Sequence, residues 1–322
     1  MRKLILITFL SFILVSCSGK EEIIQDTDLY KYELSYKDYL NTVTSIMVFH
    51  PENYDKNRFN NVENILRNNH NKFDAHDDSS ELGNVNATAH LSPVSVSDEL
   101  FDMIERALYF AEISDGGYDP TIGPLADLWG IDSDSWYMGG EVPSQADIDD
   151  TLEFVDYTKV ILDEDNKTVF FEKEGLKLDL GGIVKGFIAE QIRDYLINED
   201  IYHGIVNVGS SSQLTIGTRC AAFDSELIDG VEVLLYEDVE TAWKIGTANP
   251  AMFVDNPIGV FGLKDKALST SGSAEQFFEL DGRRYHHIFD TKTGYPVDND
   301  LVIVQLVSDD LIGVDAISTL VY

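Results

Sequence analysis

The stretch Asp179-Leu180-Gly181-Gly182-Ile183-Val184-Lys185-Gly186 constrains this chain more than any other. Leu176 to Leu180 reads as a strand, Ile183 to Ile197 has helical apolar spacing, and only Gly181 and Gly182 separate them. A strand must therefore meet a helix N-terminus through a turn with no side chains. Such a turn lets an anion come close to main-chain N–H groups, and the helix start favours negative charge. Lys185 falls in the first helical turn, where the helix dipole disfavours a cation unless an anion lies in front of it. A solvated lysine on an ordinary turn is the plainer reading, and the motif alone does not choose between the two.

The surrounding pattern sets the fold class. Asn41 to Phe49 alternates through a β-branched run and predicts a strand. Phe59, Val62, Ile65 and Leu66 recur at helical spacing and predict a helix over 57–70. Ser97 with Asp98 and Glu99 makes an N-cap with an acidic first turn. Leu100, Ile104, Ala107, Leu108 and Ala111 follow on one face, and Asp115-Gly116-Gly117 ends that helix. Val160 to Leu162 and Val169 to Phe171 flank Asp163 to Asn166 as a hairpin, and Ile205 to Val208 is another strand. Residues 132–150 are acidic and turn-rich, which predicts a surface insertion. With no repeat and no β-α-β alternation, the order gives a mixed α+β fold.

Charge and cysteines limit partners and compartment. The 322 residues carry a formal net charge of −34 with no basic cluster, which excludes nucleic acid, since its phosphates would be repelled. The charge keeps the chain soluble, and it means that an anionic ligand needs a cation and local donors. Arg2 and Lys3 precede an apolar run from Leu4 to Leu14, and Leu14-Val15-Ser16-Cys17 matches a bacterial lipobox. The run is too short for a permanent membrane span, so residues 1–17 read as a lipoprotein signal peptide with Cys17 as the acylated N-terminus. Residues 18–30 then form a polar tether and 31–322 the folded domain, outside the cytoplasm and lipid-anchored to a bacterial membrane. Cys220 is left with no cysteine to pair with, so no disulfide framework is expected.

Two more blocks carry chemistry. His286 and His287 precede Asp290 and a tight polar loop made by Thr291, Thr293, Gly294 and Pro296. In an extended segment the two rings point opposite ways, so one is a candidate base near neutral pH and the other its internal control. Asp315 and Thr319 are four apart and share a helix face. With a main-chain carbonyl they form an all-oxygen set suited to Mg²⁺; alternatively Asp315 is an N-cap and Thr319 merely faces it. There is no Cys/His cluster for zinc, and neither G-x-S-x-G nor a Walker pattern occurs.

Taken together the blocks resemble the ApbE family of FAD:protein FMN transferases over nearly the whole mature chain. In order they are Asn41 to Thr44; Ser80-Glu81-Leu82 with Asn86; Ser114 to Leu125 with Leu128-Trp129-Gly130; Asp179 to Gly186; Val206 to Gly209; Ser269 to Gly272; His287 to Pro296; and Asp315 to Thr319. The resemblance implies a T-fold-like mixed sheet with packed helices. It implies an enzyme that uses Mg²⁺ and FAD, splits the pyrophosphate, joins FMN to a Ser or Thr of an acceptor protein and releases AMP. The acceptor would be a flavoprotein, a subunit of a membrane redox complex. By matching position the metal ligands are Asp315, Thr319 and the carbonyl of Gly182, with His287 as base and Lys185 beside the flavin nucleotide. Ser80, Glu81, Asp119, Thr121, Asp179, Gly181, Ser271, Gly272, Thr293 and Gly294 fall in the matched blocks as ligand contacts. Hydrolysis of FAD to FMN and AMP at the same site, or flavin storage without catalysis, are the competing functions. Two departures stand out. Ser210-Ser211-Ser212 replaces the family's second Gly and Asp after Gly209, and the chain stops at Tyr322 where the pattern continues, which leaves either a truncated chain or a short last element.

Overall fold

A computed structural model of the chain describes residues 28–51, 59–131, 139–228, 231–249, 257–274 and 276–322. The Cys17 lipobox lies outside them, as does most of the 18–30 tether. In chain order the elements are β1 (Tyr30–Tyr39), β2 (Thr42–His50), α1 (Asn60–Phe73), α2 (Glu81–Thr88), β3 (Val94–Ser95), α3 (Asp98–Ile113), α4 (Gly123–Trp129) and α5 (Gln145–Leu152). Then come β4 (Val160–Asp163), β5 (Thr168–Phe171), α6 (Val184–Asn198), β6 (His203–Val208), β7 (Ser212–Ile216), β8 (Arg219–Ile228), β9 (Val231–Thr241), β10 (Trp243–Thr247) and β11 (Gly259–Leu263). The chain closes with β12 (Ala267–Gly272), β13 (Phe277–Leu280), β14 (Arg283–His286), β15 (Ile303–Ser308) and α7 (Leu311–Val321).

A six-stranded sheet in the order β1-β2-β6-β7-β12-β15 organises the molecule, and every pairing in it is antiparallel. Along β6 the residues Gly204, Val206 and Val208 are buried, as a strand with period two requires. Helices α1, α6 and α7 pack on that face. Val62, Leu66 and Phe73 of α1, Ile188, Ile192 and Leu196 of α6, and Leu311 and Val314 of α7 fill the main core with Ile46, Val206 and Leu214. On the other face Phe49, Trp243, Ile245, Leu263 and Leu268 form a second cluster under the β10–β11 hairpin. The result is a mixed α+β fold.

Helix starts follow local chemistry. Ser97 Oγ accepts from Leu100 N at 3.4 Å at the start of α3, a cap worth about 1 kcal/mol. The approach of α6 to α7 is set by Gly186, where an added Cβ would lie 2.6 Å from Leu311 O and 3.1 Å from Ile312 Cα. Gly186→Ala therefore has to push two packed helices apart. It is expected to cost about 1–3 kcal/mol by urea titration, the usual range for overpacking a core.

Two expectations from sequence need correction. Leu176 to Leu180 is extended but belongs to no ladder. Leu178 N donates to Asn86 Oδ1 at 2.8 Å, Asn86 Nδ2 donates to Leu178 O at 2.9 Å, and Asp179 N donates to Pro120 O at 2.8 Å. An amide side chain and one carbonyl replace the neighbouring strand. Within 132–150, residues 132–138 lie outside the described residues, but Gln145–Leu152 is a helix rather than a run of turns, with Gln145, Ala146, Asp147, Asp149 and Asp150 exposed. Its Ile148 is fully buried with Leu125, Trp129, Phe278, Tyr285 and Phe289 in a third cluster.

Candidate functional site

The site is built where the Gly181-Gly182 turn, the start of α6 and the middle of α7 meet. Asp310, not Asp315, caps α7, accepting from Gly313 N at 2.9 Å. That resolves the ambiguity in the sequence, because Asp315 is left inside the helix with its side chain turned inward. Asp315 is 3 % exposed, and its carboxylate accepts from Ser212 Oγ at 2.7 Å, Ser269 Oγ at 2.8 Å and Gly186 N at 3.2 Å. The N–H of Gly186 lies in the first turn of α6, where no carbonyl within the helix can accept it. Here it meets Asp315 instead, which brings the carboxylate to the N-terminus of α6. Thr319 Oγ1 donates to Asp315 O at 3.3 Å and lies 3.3 Å from Ser271 Oγ.

The glycine turn is held from both sides. Asp179 Oδ1 accepts from Gly181 N at 2.7 Å, and Lys185 Nζ folds back to donate to Gly181 O. The Tyr118 ring covers Gly182, where an added Cβ would meet its Cε2 at 3.1 Å. Burial pushes the Tyr118 hydroxyl far above its ordinary range, and the carboxylates of Asp179, Asp315 and Asp119 push it further. The phenol stays neutral and can only donate or accept a hydrogen bond. Gly209, in the β6–β7 turn with φ +67°, completes the floor: a Cβ there would fall 2.8 Å from Thr42 Oγ1 and 3.0 Å from Lys185 Cδ.

His287 joins this group from the β14 side. Its Nδ1 lies 3.4 Å from Gln276 O, and because a carbonyl only accepts, Nδ1 carries the proton and Nε2 the lone pair. Burial first, and then the ammonium of Lys185, push His287 down from the ordinary 6.5 to about 4. His286 is different: 3 % exposed, with Nε2 at 2.9 Å from Val297 O and Nδ1 accepting from Ile288 N at 3.3 Å. Both of its nitrogens serve the backbone.

Asp179, Gly181, Gly182, Lys185, Ser271, Asp315 and Thr319 thus cluster around the start of α6, and His287 lies near enough to Lys185 to feel its charge. Other matched positions have different work. Ser80 Oγ accepts from Gly83 N at 2.8 Å as the cap of α2, and both Glu81 oxygens accept from Ser97, one of them from its Oγ at 2.8 Å. Asp119 accepts from Thr121 N at 2.8 Å, Thr121 Oγ1 at 2.6 Å and Tyr157 N at 3.1 Å, while Thr121 Oγ1 accepts from Asp156 N at 2.8 Å. Burial raises Asp119 above the usual carboxylate range. Gly272 gives β15 a close approach, since a Cβ would lie 2.7 Å from Val302 O. Gly294 is pressed against Ile148, and its carbonyl accepts from Trp129 Nε1 at 2.9 Å; Thr293 is exposed beside it. Each of these residues other than Thr293 thus has a structural partner of its own. Tyr118, Thr42, Ser212 and Ser269 do meet the site, and no spacing rule flags a tyrosine, a threonine or a strand serine.

The donors suit a hard cation. Among the described residues no three His, Cys, Asp or Glu side chains converge on a metal position. One carboxylate, one hydroxyl and one carbonyl remain, an all-oxygen set that suits Mg²⁺ once water and phosphate oxygens complete the shell.

Comparison with known proteins gives the family. The ApbE family model matches residues 40–322. The FAD:protein FMN transferase of Klebsiella pneumoniae (strain 342) is 33 % identical over 243 residues, covering 76 % of this chain and 68 % of that protein. The protein of the same name from Treponema pallidum (strain Nichols) is 32 % identical over 250 residues, covering 76 % and 65 %. The chain thus spans about two thirds of the length of these curated relatives. Among solved structures, the ApbE protein of Thermotoga maritima MSB8 superposes with a TM-score of 0.75 at 31 % identity, covering 90 % of this chain and 85 % of that one. The flavin transferase ApbE of Vibrio cholerae, with a TM-score of 0.72 at 22 % identity over 91 % and 86 % of the two chains, shares the fold. With the family model spanning residues 40–322, the chain belongs to the ApbE family.

Proposed function

We propose that this chain is an FAD:protein FMN transferase, moving FMN from FAD to a Ser or Thr hydroxyl of an acceptor protein and releasing AMP. One observation carries the reading. A lysine folded over a glycine turn and the carboxylate of an Asp/Thr pair meet at one helix N-terminus, and a neutral histidine lies within electrostatic reach of that lysine. The relatives that match are named for this transfer, and they are enzymes.

The chain's own groups divide the work. The Gly181-Gly182 turn and the start of α6 receive the FAD pyrophosphate, and Lys185 offsets its charge. His287 Nε2 takes the proton from the acceptor hydroxyl as that oxygen attacks the phosphorus on the FMN side. The P–O–P bond breaks, and AMP leaves with the electron pair of the bridging oxygen. Asp315, Thr319 and the Gly182 carbonyl would hold Mg²⁺, which supplies charge neutralisation at the phosphates when bound. We further propose that Cys17 anchors the protein to a bacterial membrane outside the cytoplasm, near an acceptor flavoprotein in a membrane redox complex. Cys17→Ser should then move the protein out of the membrane fraction.

Incubation with FAD, Mg²⁺ and a candidate acceptor tests the reading. Covalent flavin on the acceptor supports transfer; free FMN and AMP alone mean hydrolysis; unchanged FAD means binding without catalysis. The pH profile gives a second check. Because His287 is lowered to about 4, the base stays unprotonated well below 6.5. The acid limb of kcat/KM, which reports the free enzyme, should fall near pH 4 rather than near 6.5. A limb at 6.5 that vanishes in His287→Ala would contradict the burial of this ring.

A further inference from the structure

The hydroxyls around Asp315 are distributed unevenly over its carboxylate. Ser212 on β7 and Ser269 on β12 are direct cross-strand partners, both fully buried, and both donate to the same oxygen, Asp315 Oδ1. A carboxylate oxygen offers two lone pairs on average, so two hydroxyl donors saturate Oδ1. Oδ2 accepts from Gly186 N at 3.2 Å and keeps one lone pair. Behind the pair lies Ser318, also fully buried, whose Oγ is 2.9 Å from Ser269 Oγ, 2.8 Å from Ser271 Oγ and 2.9 Å from Asp315 O. Ser269 gives its one proton to Asp315 Oδ1 and Ser318 gives its own to Asp315 O, so both hydroxyls are committed to the same residue.

We propose that Ser212 and Ser269 are positioning residues that force Asp315 to coordinate a divalent cation through Oδ2 alone. The inference rests on the reading of Asp315 as a cation ligand. A carboxylate limited to one oxygen suits the octahedral shell of Mg²⁺ or Mn²⁺. Ca²⁺ takes more oxygens and often binds both atoms of one carboxylate. The serine pair therefore sets both affinity and ion preference, as outer-layer hydrogen bonds to metal ligands commonly do. It also gives work to the Ser210-Ser211-Ser212 departure, whose last hydroxyl faces the carboxylate.

The test is Mn²⁺ binding to the full chain, followed by EPR titration with Ca²⁺ as competitor. Ser212→Ala and Ser269→Ala should each weaken Mn²⁺ about 10–100-fold and narrow the preference for Mn²⁺ over Ca²⁺. Thr215→Val removes another buried hydroxyl of β7, one that donates to Lys266 O at 3.2 Å, and should lower the melting temperature while leaving Mn²⁺ affinity unchanged. Wild-type Mn²⁺ affinity and ion preference in the serine variants overturn the inference alone. Failure of the unmodified chain to bind Mn²⁺ overturns the cation reading of Asp315, and the inference with it.

Discussion

Asp315→Asn should reduce turnover by roughly 10³-fold or more, since one Lewis-acid contact at the phosphates is worth several kcal/mol. It should not be silent in the fold. Asparagine keeps one oxygen for Ser212 and Ser269, but its NH₂ then faces the N–H of Gly186, which now donates to Oδ2 from 3.2 Å. Two donors in contact at a buried position cost about 1–3 kcal/mol, visible as a lower urea midpoint. Asp315→Ala is worse, leaving two buried hydroxyls and one N–H without their acceptor. The three donors around Asp315 make it a structural residue as well as a candidate cation ligand. A folded Asp315→Asn variant with full Mg²⁺-dependent turnover would remove the residue from the site.

The two histidines should separate along different axes. His287→Ala is expected to lower transfer by roughly 10²–10⁴, the usual span for a general base, with FAD affinity nearly intact. His286→Ala should instead lower stability by about 1–3 kcal/mol, because it orphans Val297 O and Ile288 N. Its ring also packs edge-on against Tyr322, with centroids 5.5 Å apart. His286 is therefore not the inert control that strand alternation suggests. The comparison needs kcat per folded molecule. Equal losses after that correction, or loss of FAD binding in His287→Ala, would make His287 structural.

What could be read in advance follows the range of the forces involved. The helix from Asp98 to Ile113 was legible because its cap, its acidic first turn and its apolar face all lie within one segment. The same holds for β2 and for the α6 core positions. The Leu176–Leu180 segment misled because its backbone partner is the side chain of Asn86, 92 residues away. Helix α5 was missed because one buried residue, Ile148, gives no periodicity to detect. At the site, unusual residue types in tight blocks were singled out as candidates from the sequence, as with Lys185, His287 and the Asp315/Thr319 pair. Ser212 and Ser269 were not, since a serine facing inward from a strand reads the same whether it meets a carboxylate or a carbonyl. Ser80, Glu81, Asp119 and Thr121 also hold caps and turns, structures as demanding of residue type as ligand contacts are.

The order of the central sheet also has a kinetic consequence. The strands β6, β7, β12 and β15 lie side by side and all fall between His203 and Ser308, whereas β2 reaches β6 through pairs such as Thr44 with Val208. Closing that gap means ordering a loop of more than 150 residues before the contact returns any free energy, which makes long-range antiparallel pairing slow. The C-terminal strands should therefore gain amide-exchange protection first, with the β1–β2 hairpin docking onto them afterwards. Thr42, beside Gly209 and Lys185, arrives with that hairpin. During refolding, the floor beneath the lysine is then completed in the slowest step, and activity should recover later than helical circular dichroism.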